Sequence, residues 1–324
     1  MSHPGGTGIL MRRLRSLLAI GIIGILAMLL VIQLWNSRSS EVMQPSSGAL
    51  RIASHNVHYI LLNKAEGRWS VGDWMKRRHA LDAAFKELDA DIVAFQEMES
   101  FQGGNDGSVN LARDYLRARN PDYRVAASDD WRSFPSTQPI FYRSDRLTSI
   151  AQGWFFFSET PDRIYSRTYN GSDPAYASWA QFRDRRWSKP FRIVNLHFDF
   201  QSSENRLRSA DLVASRIRPW IEAGETVFVA GDLNALIGSR TAGILREAGL
   251  DIVNVPGTTY HFGRGLNLFG AIDHILYTCD IAQLGRPMVL RNRFEDVYPS
   301  DHYPVIADFR LPSRDGNGDC RNQM

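Results

Sequence analysis

The chain has 324 residues, 44% of them hydrophobic and 23% charged, enough apolar material to bury one substantial core in a single large α/β domain or in two smaller ones, and it carries no internal repeat. Its formal net charge of +3 misleads as a guide to partners: four of the 38 lysines and arginines (Arg12, Arg13, Arg15 and Arg38) precede Glu41, where no acidic residue stands, leaving 34 against 35 acidic residues. The body of the chain is therefore near neutral, which argues against the strongly basic surface of a duplex-binding protein.

From the amino terminus, Leu17 to Ile32 is an unbroken apolar run of sixteen residues, and Leu34 and Trp35 extend it to a length that can cross a bilayer, if thinly. Arg12, Arg13 and Arg15 stand just before it. By the positive-inside tendency the amino terminus stays in the cytoplasm, so the expectation is a membrane-anchored chain with an extracytoplasmic body. The competing reading is a cleaved signal peptide that releases a secreted or periplasmic protein. Against it, the run exceeds the usual apolar core of about 7–15 residues, and Gln33-Leu34-Trp35-Asn36-Ser37 offers no small-x-small cleavage site. The expected division is an anchor over residues 1–35, a Ser-rich, Pro-containing tether over 36–48, a large domain over 49–312 and a flexible tail over 313–324. In the tail, Asp315-Gly-Asn-Gly-Asp319 begins like a calcium loop but lacks the distal bidentate carboxylate of one.

Within the body, element types alternate. Leu50–Asn56 reads as a strand. Asp73 is expected to cap a helix that places Trp74, Leu81, Phe85 and Leu88 on one face. Further strands are expected at Ile92–Gln96, Phe191–His197, Thr226–Gly231, Ile272–Tyr277 and Pro304–Phe309. A second helix over about Glu204–Glu222 presents Leu207, Ala214, Ile217 and Ile221. Trp154-Phe155-Phe156-Phe157 reads as a buried strand in preference to a membrane-touching aromatic patch. Periodicity gives an α/β fold and no more.

Four short polar clusters stand at the ends of apolar runs: Gln96-Glu97, Asn195-Leu196-His197, Gly231-Asp232-Leu233-Asn234 and Ser300-Asp301-His302, with Asn56 upstream and Asp273 between the last two. Strand ends and the loops after them are where function concentrates. Carboxylates, amides and imidazoles in this mixture suit a hard divalent cation and the hydrolysis of a phosphate ester. Magnesium takes oxygen ligands and rests on one or two carboxylates plus substrate oxygens, and Glu97 is the natural anchor. Asp232 and Asn234, two apart at a strand end, share a face, so Asp232 can take the proton of a water that Asn234 aligns. His197 and His302 supply donors to the phosphoryl oxygens, and Asp273 can fix the tautomer of one of them. Each cluster alone has a blander explanation: Gly-Asp-Leu-Asn is a common turn, and a histidine after an apolar strand is commonly a hydrogen-bonded core residue. His55, His58 and His274 read as structural, because strand neighbours face opposite ways.

The order of these motifs resembles the endonuclease/exonuclease/phosphatase superfamily, which includes deoxyribonuclease-like and sphingomyelinase-like phosphoesterases. The resemblance runs from about Leu50 to Leu311 and takes in Asp91-Ile-Val-Ala-Phe-Gln-Glu97, Phe157-Ser-Glu-Thr-Pro161, Ser178-Trp179-Ala180 and Ile272-Asp273-His274-Ile275. It implies a four-layer α-β-β-α sandwich of two mixed sheets with the site at one edge. It implies Mg2+, with Mn2+ as a substitute, held by Glu97, Asn56 and Asp301. Phosphate contacts would come from Asn56 and His197, and catalysis from His197, Asp232, Asn234, Asp273 and His302. The implied activity is hydrolysis of a phosphodiester by activated water, in the first instance a nuclease. The alternatives are an exported phospholipid or sphingomyelin phosphodiesterase and a non-catalytic binding module. The expected partners are a nucleic acid or a phospholipid headgroup, and the membrane through the N-terminal helix, with no obligate protein partner. Two departures stand out. His197-Phe198-Asp199-Phe200 lacks the second imidazole of His-x-Asp-His, and Gln138-Pro139 stands where many relatives carry Asn before the strand Ile140-Phe141-Tyr142-Arg143. Arg183-Asp184-Arg185-Arg186, the one obvious basic run, reads as a solvated loop, and Cys279 and Cys320 could pair in an oxidising compartment.

Overall fold

The apolar run forms a single helix, α1 (Gly6–Asn36), in a computed structural model that describes residues 6–37, 42–101, 109–187 and 189–311. Within its segment Met11–Asn36 the most apolar stretch has a mean hydropathy of 2.8 and holds no buried residue, while Gln33 and Asn36 at the far end are partly covered by the body. At 1.5 Å per residue these 26 residues span about 39 Å, long and apolar enough to cross a bilayer. The described part of the expected tether, residues 42–48, lies against the body: the Arg51 guanidinium donates to the Met43 carbonyl at 2.7 Å. The tail with Asp315–Asp319, and Cys320 with it, lies outside the described residues.

After α1 come β1 (Leu50–Asn56), β2 (Ile60–Leu61), α2 (Val71–Leu88), β3 (Ile92–Gln96), β4 (Ser100–Phe101), α3 (Leu111–Arg119), β5 (Tyr123–Ala126), β6 (Ile140–Arg143) and β7 (Leu147–Phe156). The second half holds β8 (Tyr176–Asp184), β9 (Phe191–His197), α4 (Ser203–Glu222), β10 (Thr226–Asp232), α5 (Arg240–Glu247), β11 (Leu250–Ile252), β12 (Asp273–Thr278), β13 (Ala282–Val289) and β14 (Val305–Arg310). One six-stranded sheet runs β13-β14-β1-β3-β6-β5 and the other β11-β12-β10-β9-β8-β7. Each is mixed, with a parallel pair at its centre: β1 with β3, and β9 with β10.

Period-two alternation sorts the strand residues between layers. Leu50, Ile52, Ile92, Ala94, Ile193, Phe228, Ala230 and Ile275 meet in the core between the sheets. The opposite face of the first sheet, with Ala53, Val93, Phe95 and Phe141, is covered by Leu81, Phe85 and Leu88 of α2 and Leu116 of α3. That of the second, with Val194, Leu196, Val227 and Val229, is covered by Val213 and Ile217 of α4 and Leu245 of α5. This is the expected four-layer sandwich. Trp74 of α2 is buried as predicted, and so are Phe155 and Phe156 at the end of β7 and Phe157 just after it, whereas Trp154 of the same run is only half-buried.

The helix start differs from the expectation. Ser70, not Asp73, is the N-cap of α2, its hydroxyl accepting from the Asp73 N–H at 3.0 Å. Asp73 sits in the first turn and pairs with Arg77, where a carboxylate favours the helix dipole. The basic run is also not simply a solvated loop. Arg183 and Asp184 close β8, and the fully buried Asp184 accepts from Arg146 and Arg186, each at 2.9 Å.

Candidate active site

The same alternation places the chemistry. Along β1, β3, β9, β10 and β12, the residues Asn56, Gln96, Asn195, His197, Asp232 and Asp273 share parity with the inner-core residues of their strands. All lie towards one edge of the sandwich. Register then fixes neighbours: Asp232 stands opposite His197 in the parallel pair and opposite Asp273 in the antiparallel one. The close approach of β9 and β10 requires Gly231, since a Cβ there would lie 1.9 Å from the Leu196 carbonyl oxygen. Behind the site, Asn195 ties the two sheets together. It donates to the carbonyls of Phe95 at 2.8 Å and Gln138 at 3.1 Å and accepts from Gln96 at 2.7 Å.

At the edge, Asn56 lies between two carboxylates. Its amide nitrogen donates to Glu97 Oε1 at 3.1 Å and Asp232 Oδ2 at 3.2 Å, while its oxygen accepts from the His58 N–H at 3.2 Å. Glu97 follows β3 with a left-handed φ of 52°, and its other oxygen accepts from the Tyr59 N–H. His197 Nε2 lies 3.8 Å from Glu97 Oε1 and 3.7 Å from Asp232 Oδ2. On the other side His302 Nε2 lies 3.8 Å from Asp232 Oδ2, and its Nδ1 bonds Asp273 at 2.9 Å. Burial and the adjacent Asp273 charge push the Asp232 carboxyl up to about 6, against the pull of His302 and His197. Burial alone would strip the proton from His302, yet Asp273, with Asp232 beyond it, raises the imidazole well above its ordinary value. Burial would likewise raise Asp273, but the His302 charge and hydrogen bond hold it down. The outcome is a buried imidazolium–carboxylate pair beside a carboxyl poised near neutrality.

Asn234 lies beyond the end of β10 with a φ of 45°, so strand alternation does not orient it. A turn does: its N–H donates to Asp232 Oδ1 at 2.8 Å and its side chain donates to the Phe198 carbonyl at 2.9 Å. Asp301 turns its two oxygens to His58 Nδ1 at 2.9 Å and Arg68 Nη2 at 2.6 Å. Despite its burial, the His58 hydrogen bond and the charges of His302, His58 and Arg68 hold it far below the usual carboxylate range.

The sequence pattern of the Endonuclease/Exonuclease/phosphatase family matches residues 53–302. The chain belongs to that family. As an endonuclease/exonuclease/phosphatase protein it is a hydrolase of phosphoric ester bonds. No curated protein sequence matches it significantly, but solved structures do. A family protein from Bacteroides vulgatus is 24% identical with a TM-score of 0.67, covering 81% of this chain and 99% of its own. A mannosyl-6-phosphatase from Bacteroides thetaiotaomicron is also 24% identical, with a TM-score of 0.65 over 81% of this chain and all of the other. D. rerio TDP2, complexed with a single-strand DNA product, is 16% identical at 0.57, covering 81% and 99%. At these identities the likeness shows the fold.

Enzymes of this family typically depend on a divalent metal, and the donor set fits one. Asp232, Asp273 and His302 bring side-chain oxygen and nitrogen atoms within 4.8 Å of one another, but a protonated His302 bonded to Asp273 has no lone pair for a cation, so the donors of this group are its carboxylates. Glu97 adds a carboxylate whose one ionic neighbour within 4 Å, among the described residues, is His197. The departures from the motif pattern have structural explanations. Asp199 caps the approach to α4, accepting from the N–H groups of Gln201 and Ser202 and from the Asn205 side chain. Gln138 donates to the Tyr176 carbonyl inside the sandwich. His274 bonds the Ala235 carbonyl on the far face. Sequence reasoning missed His58 and Arg68. His58 follows β1 with a φ of 62°, so alternation does not apply to it. Its ring stacks 5.9 Å from that of Trp69, and the guanidinium of Arg68 lies 4.8 Å from the Trp69 ring. The His-Tyr and Arg-Trp pairs at 58–59 and 68–69 were the available signal, an aromatic and basic cluster just after a strand end.

Proposed function

We propose that the chain is a magnesium-dependent phosphodiesterase that breaks a P–O bond by direct attack of water, with residues 1–35 as its membrane anchor and 49–312 as its catalytic domain. The observation that carries this reading is the position of Asp232 Oδ2, within 3.2–3.8 Å of Asn56, His197 and His302, with Asp273 behind His302. Asp232 takes a proton from the attacking water, which Asn234 helps to align. His302, kept protonated by Asp273, and His197 donate to the phosphoryl oxygens as charge builds on them. Asn56 holds both carboxylates in place with its two N–H groups and would offer a donor to the phosphate only by releasing one of them. Glu97 would hold the ion; Asp301 would join it only by exchanging His58 or Arg68 for the metal. The bound cation supplies charge neutralisation at the phosphate. Manganese would substitute with the same oxygen donors.

The nuclease expected from the motifs gains no support from the near-neutral charge of the body. Activity of the full chain with magnesium on plasmid DNA, RNA, sphingomyelin and bis-p-nitrophenyl phosphate tests the class, and turnover of none of them overturns it. Glu97→Gln removes a full charge from the cation's shell, so its magnesium activation curve should move to higher concentration as the rate falls. Coincident curves for variant and parent would remove Glu97 from the metal.

A further inference from the structure

The loop between β11 and β12 touches the anchor at one end and the reacting groups at the other. On the anchor side, Gln33 Nε2 donates to the Gly265 carbonyl at 2.8 Å and its oxygen accepts from the Asn267 N–H at 2.6 Å. Asn36 donates to the Asn267 carbonyl at 3.1 Å, and Asn267 donates to Ser37 Oγ at 2.7 Å. The backbones come so close that a Cβ on Gly257, whose φ is +66°, would lie 2.3 Å from the Asn36 oxygen. On the other side, Thr259 Oγ1 accepts from the N–H groups of Ile272 and Asp273 at 3.0 and 3.2 Å. The Tyr260 ring lies 4.9 Å from that of His302, and the His261 N–H donates to the Asp301 carbonyl at 2.9 Å. The end of α1 is thus joined to the site through one loop, residues 253–272.

Large apolar side chains stand exposed beside this junction. Leu266 and Phe269 belong to the same loop, and Phe269 is 58% exposed; Leu236, 50% exposed, and Ile237 follow the Asp232–Asn234 turn. The two loops meet, since a Cβ on Gly270 would lie 3.1 Å from Leu236 Cδ2. A cavity of about 620 Å³ between them is lined by Asn36 of α1 together with Leu236, Ile237, Gly270 and Ala271. With α1 crossing a bilayer, these residues would stand beside its exit point together with the exposed Trp35 in its last turn, a residue type concentrated at the membrane interface.

We propose that α1 and the apolar residues Leu236, Ile237, Leu266 and Phe269 form one bilayer-facing surface that seats the mouth of the site on the membrane the helix crosses, and that the substrate is a phosphoester in a lipid headgroup. This rests on the phosphoesterase reading and on α1 remaining uncleaved. It explains why a family site sits in a body without excess positive charge: the anchor, not electrostatic attraction, brings the substrate to it.

The seat is tested without activity. Full-length protein in nanodiscs of phosphatidylethanolamine and phosphatidylglycerol, carrying a photoreactive benzoylphenylalanine at position 236 or 269, should crosslink to lipid. The same probe at 150, an exposed position on β7, should not. Absence of lipid adducts at 236 and 269, or equal yield at 150, overturns the seat. The substrate is tested with the double variant Leu236→Ser/Phe269→Ser. It should lower hydrolysis of phosphatidylglycerol or sphingomyelin in vesicles by about tenfold or more, one factor of ten being about 1.4 kcal/mol of lost immersion. Bis-p-nitrophenyl phosphate turnover should stay within about twofold. Equal loss on both substrates, or no loss on vesicles, overturns the lipid assignment. A parent protein inactive on every phosphoester overturns it together with the reading it rests on, while crosslinking still decides the seat. As an independent check, Gly257→Ala should loosen the junction and reduce the crosslinks at 269; unchanged yield would detach the loop from the placement of the surface.

Discussion

Asp232 and His302 face each other with opposite displacements, one carboxyl pushed up to about 6 by burial and Asp273, one imidazole held protonated by Asp273 and Asp232. Activity should therefore rise as pH passes about 6 and Asp232 loses its proton, and fall at alkaline pH as His302 loses its own. Asp273→Asn removes the charge that raises both groups. In a pH profile of kcat/KM the alkaline limb should move to lower pH, and an alkaline limb that stays in place would show that Asp273 does not hold the His302 proton. Asp232→Asn and His302→Ala should each cost roughly 10² or more in turnover with little change in melting temperature. Activity that falls only as far as stability falls would make both residues structural. Asp232 and Asp273 were legible in the sequence because each stands at one end of a strand of clean period two, and His302 because Ser300-Asp301-His302 stands just before another. Arg68 and the inward turn of His58 were not, since left-handed backbone and a partner more than 200 residues away leave no local pattern.

Elements built on apolar runs were legible to within a residue or two: β1, β3 and β9 fall where expected, and β10, β12 and β14 shift by one. The start of α2 was not, because Ser70 and Asp73 are both good capping residues and only the extended backbone at Ser70 decides between them. The two-residue strands β2 and β4 exist through their pairing with each other, which no local periodicity records. The bond between the sheets was half legible: Asn195 and Gln96 were singled out as motif residues, but their partners are main-chain groups across the sandwich. Asn195→Ala would remove the side-chain donor from the Phe95 carbonyl and one of two partners from the Gln96 amide and the Gln138 carbonyl, which keep the Ala94 carbonyl and the Ser178 hydroxyl. At roughly 1–3 kcal/mol for a buried group left unpaired, the melting temperature should drop by several degrees, at about 2–4 °C per kcal/mol in a domain of this size. A calorimetric midpoint equal to the parent's would mean that water or relaxation replaces the bonds.

For the whole molecule, three arginines in the first turns of α1, just ahead of its apolar run, and Arg38 alone shortly after the helix predict that the body lies outside the cytoplasm. A carboxyl-terminal reporter that works only after export should be active, and full-length chain recovered from the soluble cytoplasmic fraction would refute the topology. A soluble exported form beginning near residues 36–47 would identify α1 as a cleaved signal. Strand order adds a constraint on timing. The first strand of the domain, β1, is flanked by β3 on one side and by β14, the last strand, on the other, and His302 lies just before β14. A nascent chain that has emerged only as far as β13 carries Asn56, Glu97, His197, Asp232 and Asp273, yet its first sheet is split and its protonated donor is missing. On the proposed reading, a chain must therefore have emerged through β14 before the His302 donor can reach Asp273, so the strand that opens the domain waits on the last described one for activity.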